Sequence, residues 1–176
     1  MSSRTVARSK RVQYAALPYR PTGSSGTEVM LVTSRGRQRW IIPKGWPHSG
    51  RAPCDSAARE AFEEAGVLGL VGRRSLGLFR YKKRLKKGRV AVCDVHVFPL
   101  HVARQRPQWP EKNQREIKWV SVQEAAKAVQ NARLREIIRC WARKIAAPRW
   151  RVRVAATTRK RPRYSRPIWP VQPRKR

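Results

Sequence analysis

The few acidic residues of this chain are unevenly placed, and their placement constrains the fold more than any other sequence feature. Four of the ten Asp and Glu residues among 176 fall within positions 55–64. The spacing over 54–65 is helical, so Glu60, Glu63 and Glu64 share one helix face. Like charges at this spacing repel by roughly 0.2–0.5 kcal/mol per pair. The face therefore needs neutralisation, either by basic side chains at the surface or by a divalent cation such as Mg²⁺ or Mn²⁺.

A large excess of basic residues is the second constraint. The 42 Lys and Arg residues against 10 Asp and Glu give a formal net charge of +32. This charge favours polyanionic partners, which are nucleic acid, phosphorylated metabolites or an anionic membrane surface. No apolar run reaches the roughly 18–20 residues that span a bilayer. The three cysteines are far apart and fit neither a disulfide framework nor a metal finger, so a cytoplasmic location is expected.

Composition divides the chain into a basic N-terminal arm (1–11), a domain (12–147) and a basic tail (148–176). The tail has eleven Lys and Arg, five prolines and no acid. It cannot bury enough apolar surface to offset its ordering entropy, which predicts a disordered tail. The domain remains strongly basic, because residues 1–147 keep 31 Lys and Arg against the 10 acids. The arm is acid-poor like a transit peptide, but strand-like sequence follows almost at once, which favours a solvated arm.

Strand and helix patterns alternate along the domain. Strands are predicted at 13–20, 28–34, 40–42, 90–102 and 117–121, and helices at 54–65, after 121 and at 131–145. The first helix is expected to begin with a cap from Asp55 or Ser56 and to end at Gly66. The second is expected to begin with a capping box of Ser121 and Glu124. The predicted class is α/β or α+β, with a mixed sheet and helices packed on it.

The segment 45–67 resembles the Nudix box. That signature is Gly, five residues, Glu, seven residues, Arg-Glu, an aliphatic, any residue, Glu-Glu, any residue, Gly, an aliphatic. Its fixed positions are matched by Gly45, Arg59, Glu60, Glu63, Glu64, Gly66 and Val67. The flanking segments 76–79 and 115–125 are similar to the diphosphoinositol polyphosphate phosphohydrolases of that family. The resemblance covers about residues 12–145 and implies an α/β/α sandwich.

One position departs from the signature, because Arg51 stands where the family has its first Glu. In the family that Glu generally helps to hold the loop before the catalytic helix. Two interpretations remain: Asp55 takes over the loop-holding role, or the activity is weakened. Since the Arg-Glu and Glu-Glu positions are intact, we expect the protein to remain catalytic.

The resemblance implies a metal-dependent hydrolase of pyrophosphate bonds, with Mg²⁺ or Mn²⁺ as cofactor. It implies that Glu60 and Glu64 ligate the metal together with the carbonyl region of Gly45. Glu63, which shares the metal-binding face, is the implied proton acceptor for the attacking water. Arg59 is implied to orient the carboxylates. Hydrolysis of a phosphoanhydride needs charge neutralisation and an activated water, and metal ions held by carboxylates supply both.

By the same resemblance, a set of polar and basic side chains would contact substrate phosphates, namely Ser34, Arg35, Lys86, Lys87, Arg89 and Arg115. The alternative for the basic loop at 82–89 is a solvated hairpin tip. The three histidines, at positions 48, 96 and 101, match no ligand spacing and are interpreted as structural. Trp46 is interpreted as a loop anchor rather than a stacking platform.

The leading substrate hypothesis is a highly charged polyphosphate, either a diphosphoinositol polyphosphate, a diadenosine polyphosphate or a related nucleoside diphosphate derivative. A second hypothesis keeps the enzyme but assigns the 5′ end of RNA as substrate, because the tail interleaves aromatic and basic residues. A third is a catalytically impaired fold that binds nucleic acid. Arg51 favours this third hypothesis, and the intact glutamates oppose it.

Overall fold

The computed structural model describes residues 11–23, 26–84 and 90–146. In chain order its elements are β1 (Arg11–Thr22), β2 (Gly26–Thr33), β3 (Trp40–Ile41), β4 (Lys44–Gly45), α1 (Pro53–Ala65), β5 (Val67–Val71), β6 (Gly77–Arg84), β7 (Val90–Gln105), β8 (Ile117–Ser121), α2 (Val122–Ala128) and α3 (Ala132–Ala146). The predicted tail and residues 1–10 of the predicted arm lie outside the described residues.

Internal contacts divide the chain into two units, Met1–Ala142 and Arg143–Arg176. The sheet and the site described below belong to the first unit. The described residues of the second, 143–146, form the last turn of α3. None of the helices in the described ranges has the length and apolar character that a bilayer crossing requires.

The eight strands form one mixed sheet. Its main path runs β3-β2-β1-β7-β5, while β4 pairs with β1, β6 with β7 and β8 with β2. β1 and β7 are parallel at the centre of this path, and the other pairs are antiparallel. β7 is sixteen residues long, which lets it pair with β1 along one edge and with both β5 and β6 along the other. The predicted mixed sheet is confirmed.

Helices cover both faces of the sheet. On one face α1 contributes small side chains to a core made of Ala57, Ala61, Ala65, Ala16, Met30, Val32, Phe98 and Leu100. Successive strand residues point to opposite faces, so Leu17 and Leu31 are buried on the other side. There the Trp141 ring of α3 lies 4.8 Å from the Tyr19 ring, centroid to centroid. This layering confirms the predicted α/β/α sandwich.

The start of α1 differs from the prediction. The helix begins at Pro53 after Ala52, and no side chain caps it, so the expected cap from Asp55 or Ser56 was wrong. Proline is accommodated in the first turn because it has no N–H that needs a partner there. The predicted end is confirmed: Gly66 has φ of 70° and donates its N–H to the Phe62 carbonyl at 2.8 Å.

The predicted capping box at the start of α2 is confirmed. The backbone N–H of Glu124 donates to the Ser121 hydroxyl at 3.2 Å, and the Ser121 N–H donates to the Glu124 carboxylate at 2.9 Å. These two bonds satisfy backbone donors that a helix start otherwise leaves unpaired. α2 therefore follows β8 without an intervening loop.

Candidate active site

The glutamate face of α1 lies against the short strand β4. β4 is held on β1, with Gly45 opposite Tyr14 and Lys44 opposite Ala15. A Cβ atom added to Gly45 would lie 2.0–2.1 Å from all three carboxylate atoms of Glu60. Only a glycine therefore leaves room for the Glu60 carboxylate beside the β4 backbone.

The loop between β4 and α1 brings His48 to the same carboxylate. His48 and Arg51 close a turn in which the Arg51 N–H donates to the His48 carbonyl at 3.1 Å. Gly50 within this turn has φ of 69°, in the left-handed region that favours glycine. The His48 N–H donates to the Ser56 hydroxyl at 3.2 Å, and this bond fastens the loop to α1. The His48 Nε2 atom lies 3.1 Å from Glu60 Oε1.

These contacts assemble a group of side chains that suits a divalent cation. Among the described residues, His48, Glu60 and Glu63 each place one nitrogen or oxygen atom within 4.8 Å of the other two. Carboxylate oxygens are ligands for Mg²⁺ and Mn²⁺, and imidazole nitrogen extends the set toward transition metals. The Glu60 carboxylate occupies the space that the absent Gly45 side chain leaves beside β4. The residues present therefore fit the cation that the sequence resemblance implies.

Glu63 and Arg59 form an ion pair on α1. Arg59 Nε donates to Glu63 Oε1 at 2.6 Å, one helical turn apart. Both side chains are partly exposed. This contact fixes the direction of the Glu63 carboxylate and is compatible with the orienting role expected of Arg59.

Glu64 is buried and its two oxygens are both engaged by protein donors. The Arg115 guanidinium donates to Glu64 Oε1, and the Lys44 backbone N–H donates to Oε2 at 3.3 Å. Arg115 also donates to the Thr33 carbonyl at 2.8 Å and to a Glu111 oxygen at 2.9 Å. With its side chain only 8% exposed, Arg115 is directed at protein acceptors beneath the glutamate face.

Glu111 is a further carboxylate near the site that the sequence did not reveal. It lies on the loop between β7 and β8, which covers the C-terminal end of α1. The Glu111 N–H donates to the Glu63 carbonyl at 3.0 Å, and the Arg106 N–H donates to the Gly66 carbonyl at 2.8 Å. These bonds satisfy carbonyls that end the helix, so the loop is fixed by backbone geometry. Only the scarcity of acids in the sequence could have signalled Glu111.

Burial and crowding change the ionisation of the site. Burial raises the pKa of Glu60 to about 7, and the nearby carboxylates of Glu63 and Glu111 add to the effect. Burial also raises the pKa of Glu64 to about 7, although Arg115 and Lys44 oppose the shift. Such a group of carboxylates is stabilised in its charged form by a cation.

The pKa values of two basic residues at the site are also shifted. Burial lowers the pKa of Lys44, and burial followed by the positive charge of Arg59 lowers the pKa of His48. Both shifts have the direction expected when a cationic form is moved out of water. A neutral imidazole at His48 can accept a hydrogen bond or bind a cation through a ring nitrogen.

Basic and aromatic residues cluster around the strands β4 and β6. Lys83 Nζ is 4.5 Å from the centre of the Trp46 ring, and Arg11 Cζ is 5.9 Å from it. Lys44 Nζ is 5.1 Å from the centre of the Tyr81 ring. We call Arg11, Lys44 and Lys83 the basic rim. Trp46, which is 37% exposed, is the aromatic surface between two of its members.

The structure describes three of the six predicted phosphate contacts, Ser34, Arg35 and Arg115. Ser34 and Arg35 follow β2, where the Ser34 hydroxyl accepts the Arg39 N–H at 3.1 Å. The Arg35 side chain is 61% exposed and pairs with Glu111. Arg115 is buried under Glu64, as described above. The remaining three, at positions 86, 87 and 89, lie outside the described residues.

Residues 10–140 match the family described as NUDIX domain. Nudix hydrolase 21, chloroplastic, of Arabidopsis thaliana is 36% identical over 121 residues, which cover 68% of this chain and 59% of that protein. Diphosphoinositol polyphosphate phosphohydrolase 3-alpha of Mus musculus is 35% identical over 106 residues, covering 58% and 60%. The matched part covers between half and three fifths of the length of four Arabidopsis relatives, Nudix hydrolases 21, 12, 4 and 13.

The fold is also similar to that of solved structures. The crystal structure of C. elegans Ap4A hydrolase superposes with a TM-score of 0.55 and 18% sequence identity. The similarity covers 77% of this chain and 98% of that one. At this identity the comparison supports the architecture of sheet and helices.

Proposed function

The chain belongs to the Nudix family, and on that premise we propose that it is a metal-dependent pyrophosphohydrolase of highly charged small molecules. The substrate class would be diphosphoinositol polyphosphates, diadenosine polyphosphates or related nucleoside diphosphate derivatives. The observation that carries this proposal is the Glu60 carboxylate packed against Gly45, with Glu63 beside it on the same helix face. The name of the mouse relative supports the substrate class.

In this proposal Mg²⁺ or Mn²⁺ would be held by Glu60, Glu63 and Glu64 with the carbonyl of Gly45. The bound cation would neutralise phosphate charge and make a water molecule more acidic. The fold contributes rigid placement, because the carboxylates project from one helix that is packed on the sheet. Arg115 would act through Glu64, since its guanidinium donates to that carboxylate from a buried position.

We assign Glu63 as the proton acceptor for the attacking water. It is partly exposed, so a substrate and water can reach it, and its carboxylate is oriented by Arg59 at 2.6 Å. An acid–base group in such a position contributes roughly 10²–10⁴-fold to a rate.

Substrate phosphates would be bound by the basic rim and by the basic residues predicted from the sequence. Within the rim, Lys44 lies near the Glu64 carboxylate and Lys83 lies over the exposed Trp46 ring. Ser34 and Arg35 would contribute from the end of β2, and Lys86, Lys87 and Arg89 from the segment after β6. Cationic side chains bind phosphate through charge-assisted hydrogen bonds, which suits a substrate with many phosphate groups.

A second candidate function is hydrolysis at the 5′ end of RNA. The net charge of +32 favours it, because a small metabolite does not need positive charge over the whole chain. The tail would then be a nucleic-acid-binding extension of the domain.

For the location we propose the cytoplasm. A fluorescent fusion tests this, and accumulation in organelles, as the name of the Arabidopsis relative indicates for that protein, would contradict it.

A substrate panel tests the proposed function. Purified full-length protein with Mg²⁺ or Mn²⁺ is assayed against dinucleoside polyphosphates, inositol pyrophosphates, nucleotide sugars and triphosphorylated RNA. We expect metal-dependent release of phosphate or a nucleotide from a small polyphosphate, and strong loss of this activity in Glu60→Gln. Turnover restricted to triphosphorylated RNA would favour the second candidate. No turnover with any member of the panel would favour the impaired, binding-only fold.

A further inference from the structure

The loop before α1 holds an imidazole at the cation site. His48 Nε2 lies 3.1 Å from Glu60 Oε1, and the two atoms belong to the group of three that also includes Glu63. We propose that His48 is a nitrogen ligand of the cation bound on α1, which makes this a mixed imidazole–carboxylate site. The proposal rests on the proposed function only in that a cation binds there.

The position of His48 is fixed from both sides of its backbone. Its N–H donates to the buried Ser56 hydroxyl at 3.2 Å, and its carbonyl accepts the Arg51 N–H at 3.1 Å. Gly50 supplies the left-handed conformation that closes the turn. A backbone held in this way limits the entropy that the side chain loses when it binds a ligand.

The spacing of the two side chains suits ligands of one ion. Two ligands about 2.1 Å from an octahedral ion and at right angles to each other are separated by about 3.0 Å. The observed separation between His48 Nε2 and Glu60 Oε1 is 3.1 Å. A hydrogen bond between His48 and Glu60 would have the same length, so a spectroscopic signal must distinguish it from binding of His48 to the metal.

The loop before α1 can supply a metal ligand through His48 but not through Arg51. At the position of the first signature glutamate the loop carries Arg51, whose guanidinium has no lone pair to offer a cation. His48 adds a neutral donor without adding another like charge to the glutamate face. Imidazole also shifts selectivity, because it favours transition metals relative to Mg²⁺.

Pulsed electron paramagnetic resonance of the Mn²⁺-loaded full-length protein tests the assignment. A directly bound imidazole gives a ¹⁴N hyperfine coupling to the manganese. We expect this coupling in the unmodified protein and its loss in His48→Gln. The matched control is His101→Gln, because His101 pairs with Tyr19 in the sheet and Tyr19 faces α3 on the opposite side from α1. The control should retain the coupling.

Metal titrations give a second readout. In His48→Gln we expect Co²⁺ affinity to fall by about tenfold or more and Mg²⁺ affinity to fall less, since even residues outside the ligand sphere change affinity by roughly 10–100-fold. His48→Asp replaces the imidazole with a carboxylate, so its Mg²⁺ affinity should be higher than that of His48→Gln. The ¹⁴N coupling should be absent from this variant as well. This variant keeps the test decisive if His48→Gln does not fold.

Two results would overturn the assignment. One is the absence of a ¹⁴N coupling from the unmodified protein, and the other is a coupling that survives in both folded His48 variants. In either case His48 would only hold Glu60 by a hydrogen bond. Neither result depends on turnover. A protein with the coupling that hydrolyses nothing would contradict the proposed function alone, and one that hydrolyses polyphosphates without the coupling would contradict only the role of His48.

Discussion

Substituting Gly45 with alanine tests the close approach of β4 to the glutamate face. The added Cβ would lie 2.0–2.1 Å from the Glu60 carboxylate atoms, whereas ordinary contacts begin at 3.4 Å. The carboxylate must therefore move by more than 1 Å, the difference between those two distances. A misplacement of about 1 Å can reduce a rate by about 10²-fold, and we expect a loss of that size in turnover.

The fold itself should tolerate Gly45→Ala. The clash is with the far end of a flexible side chain, which can rotate away from β4. We therefore expect the free energy of unfolding in urea to change by less than about 1 kcal/mol, while Mn²⁺ affinity falls with turnover. Gly36→Ala is the matched control, because its added Cβ meets no atom within 4 Å. Turnover and Mn²⁺ affinity that both stay within twofold of the unmodified protein would refute the packing argument.

Four further changes test other parts of the proposal. Glu63→Gln is nearly isosteric, so folding should survive while turnover on the active substrate falls by about 10² or more; unchanged turnover would remove Glu63 as proton acceptor. Arg51→Glu restores the carboxylate of the family signature, and turnover in the same assay should rise modestly or stay unchanged. A collapse of turnover would mean that the loop is built around the Arg51 guanidinium. Deleting 148–176 should leave hydrolysis of a small polyphosphate nearly unchanged and flatten the slope of log affinity against log salt on single-stranded RNA, because eleven basic residues are lost; equal slopes would show that the tail does not contact phosphate. Trp141→Ala should lower the free energy of unfolding in urea by about 3–5 kcal/mol, since the ring is 4% exposed and packs on Tyr19; a change below about 1 kcal/mol would contradict that packing.

Features that depend on neighbours in the chain could be predicted from the sequence. The helix carrying the glutamates, its end at Gly66 and the capping box of Ser121 and Glu124 are all found as predicted. Helical periodicity and cap chemistry act over three or four residues, so a short segment contains the information they need. The family signature is local in the same sense, since its fixed positions fall within one loop and one helix.

The sequence prediction was weaker where short segments had weak patterns. The strands β5 and β6 were not among the predicted elements, and α1 begins at Pro53 instead of at a side-chain cap. Gly69 and Gly72 lie within or next to β5 and interrupt its apolar pattern, and β6 ends in a run of basic residues. Both strands owe their conformation to pairing with β7, which supplies the hydrogen bonds that their own sequences do not predict.

The sequence by itself placed three glutamates on one helix face, and the tertiary structure decided what surrounds them. His48 reaches Glu60 from twelve positions away because a turn and the Ser56 hydroxyl redirect the loop. Glu111 reaches the site because its loop binds the carbonyls that end α1. Arg115, expected at a substrate phosphate, is buried against Glu64 across the β2–β8 edge. These contacts join segments that are far apart in the chain. The distances between such segments are set by the packing of the sheet and helices, so local periodicity cannot predict them.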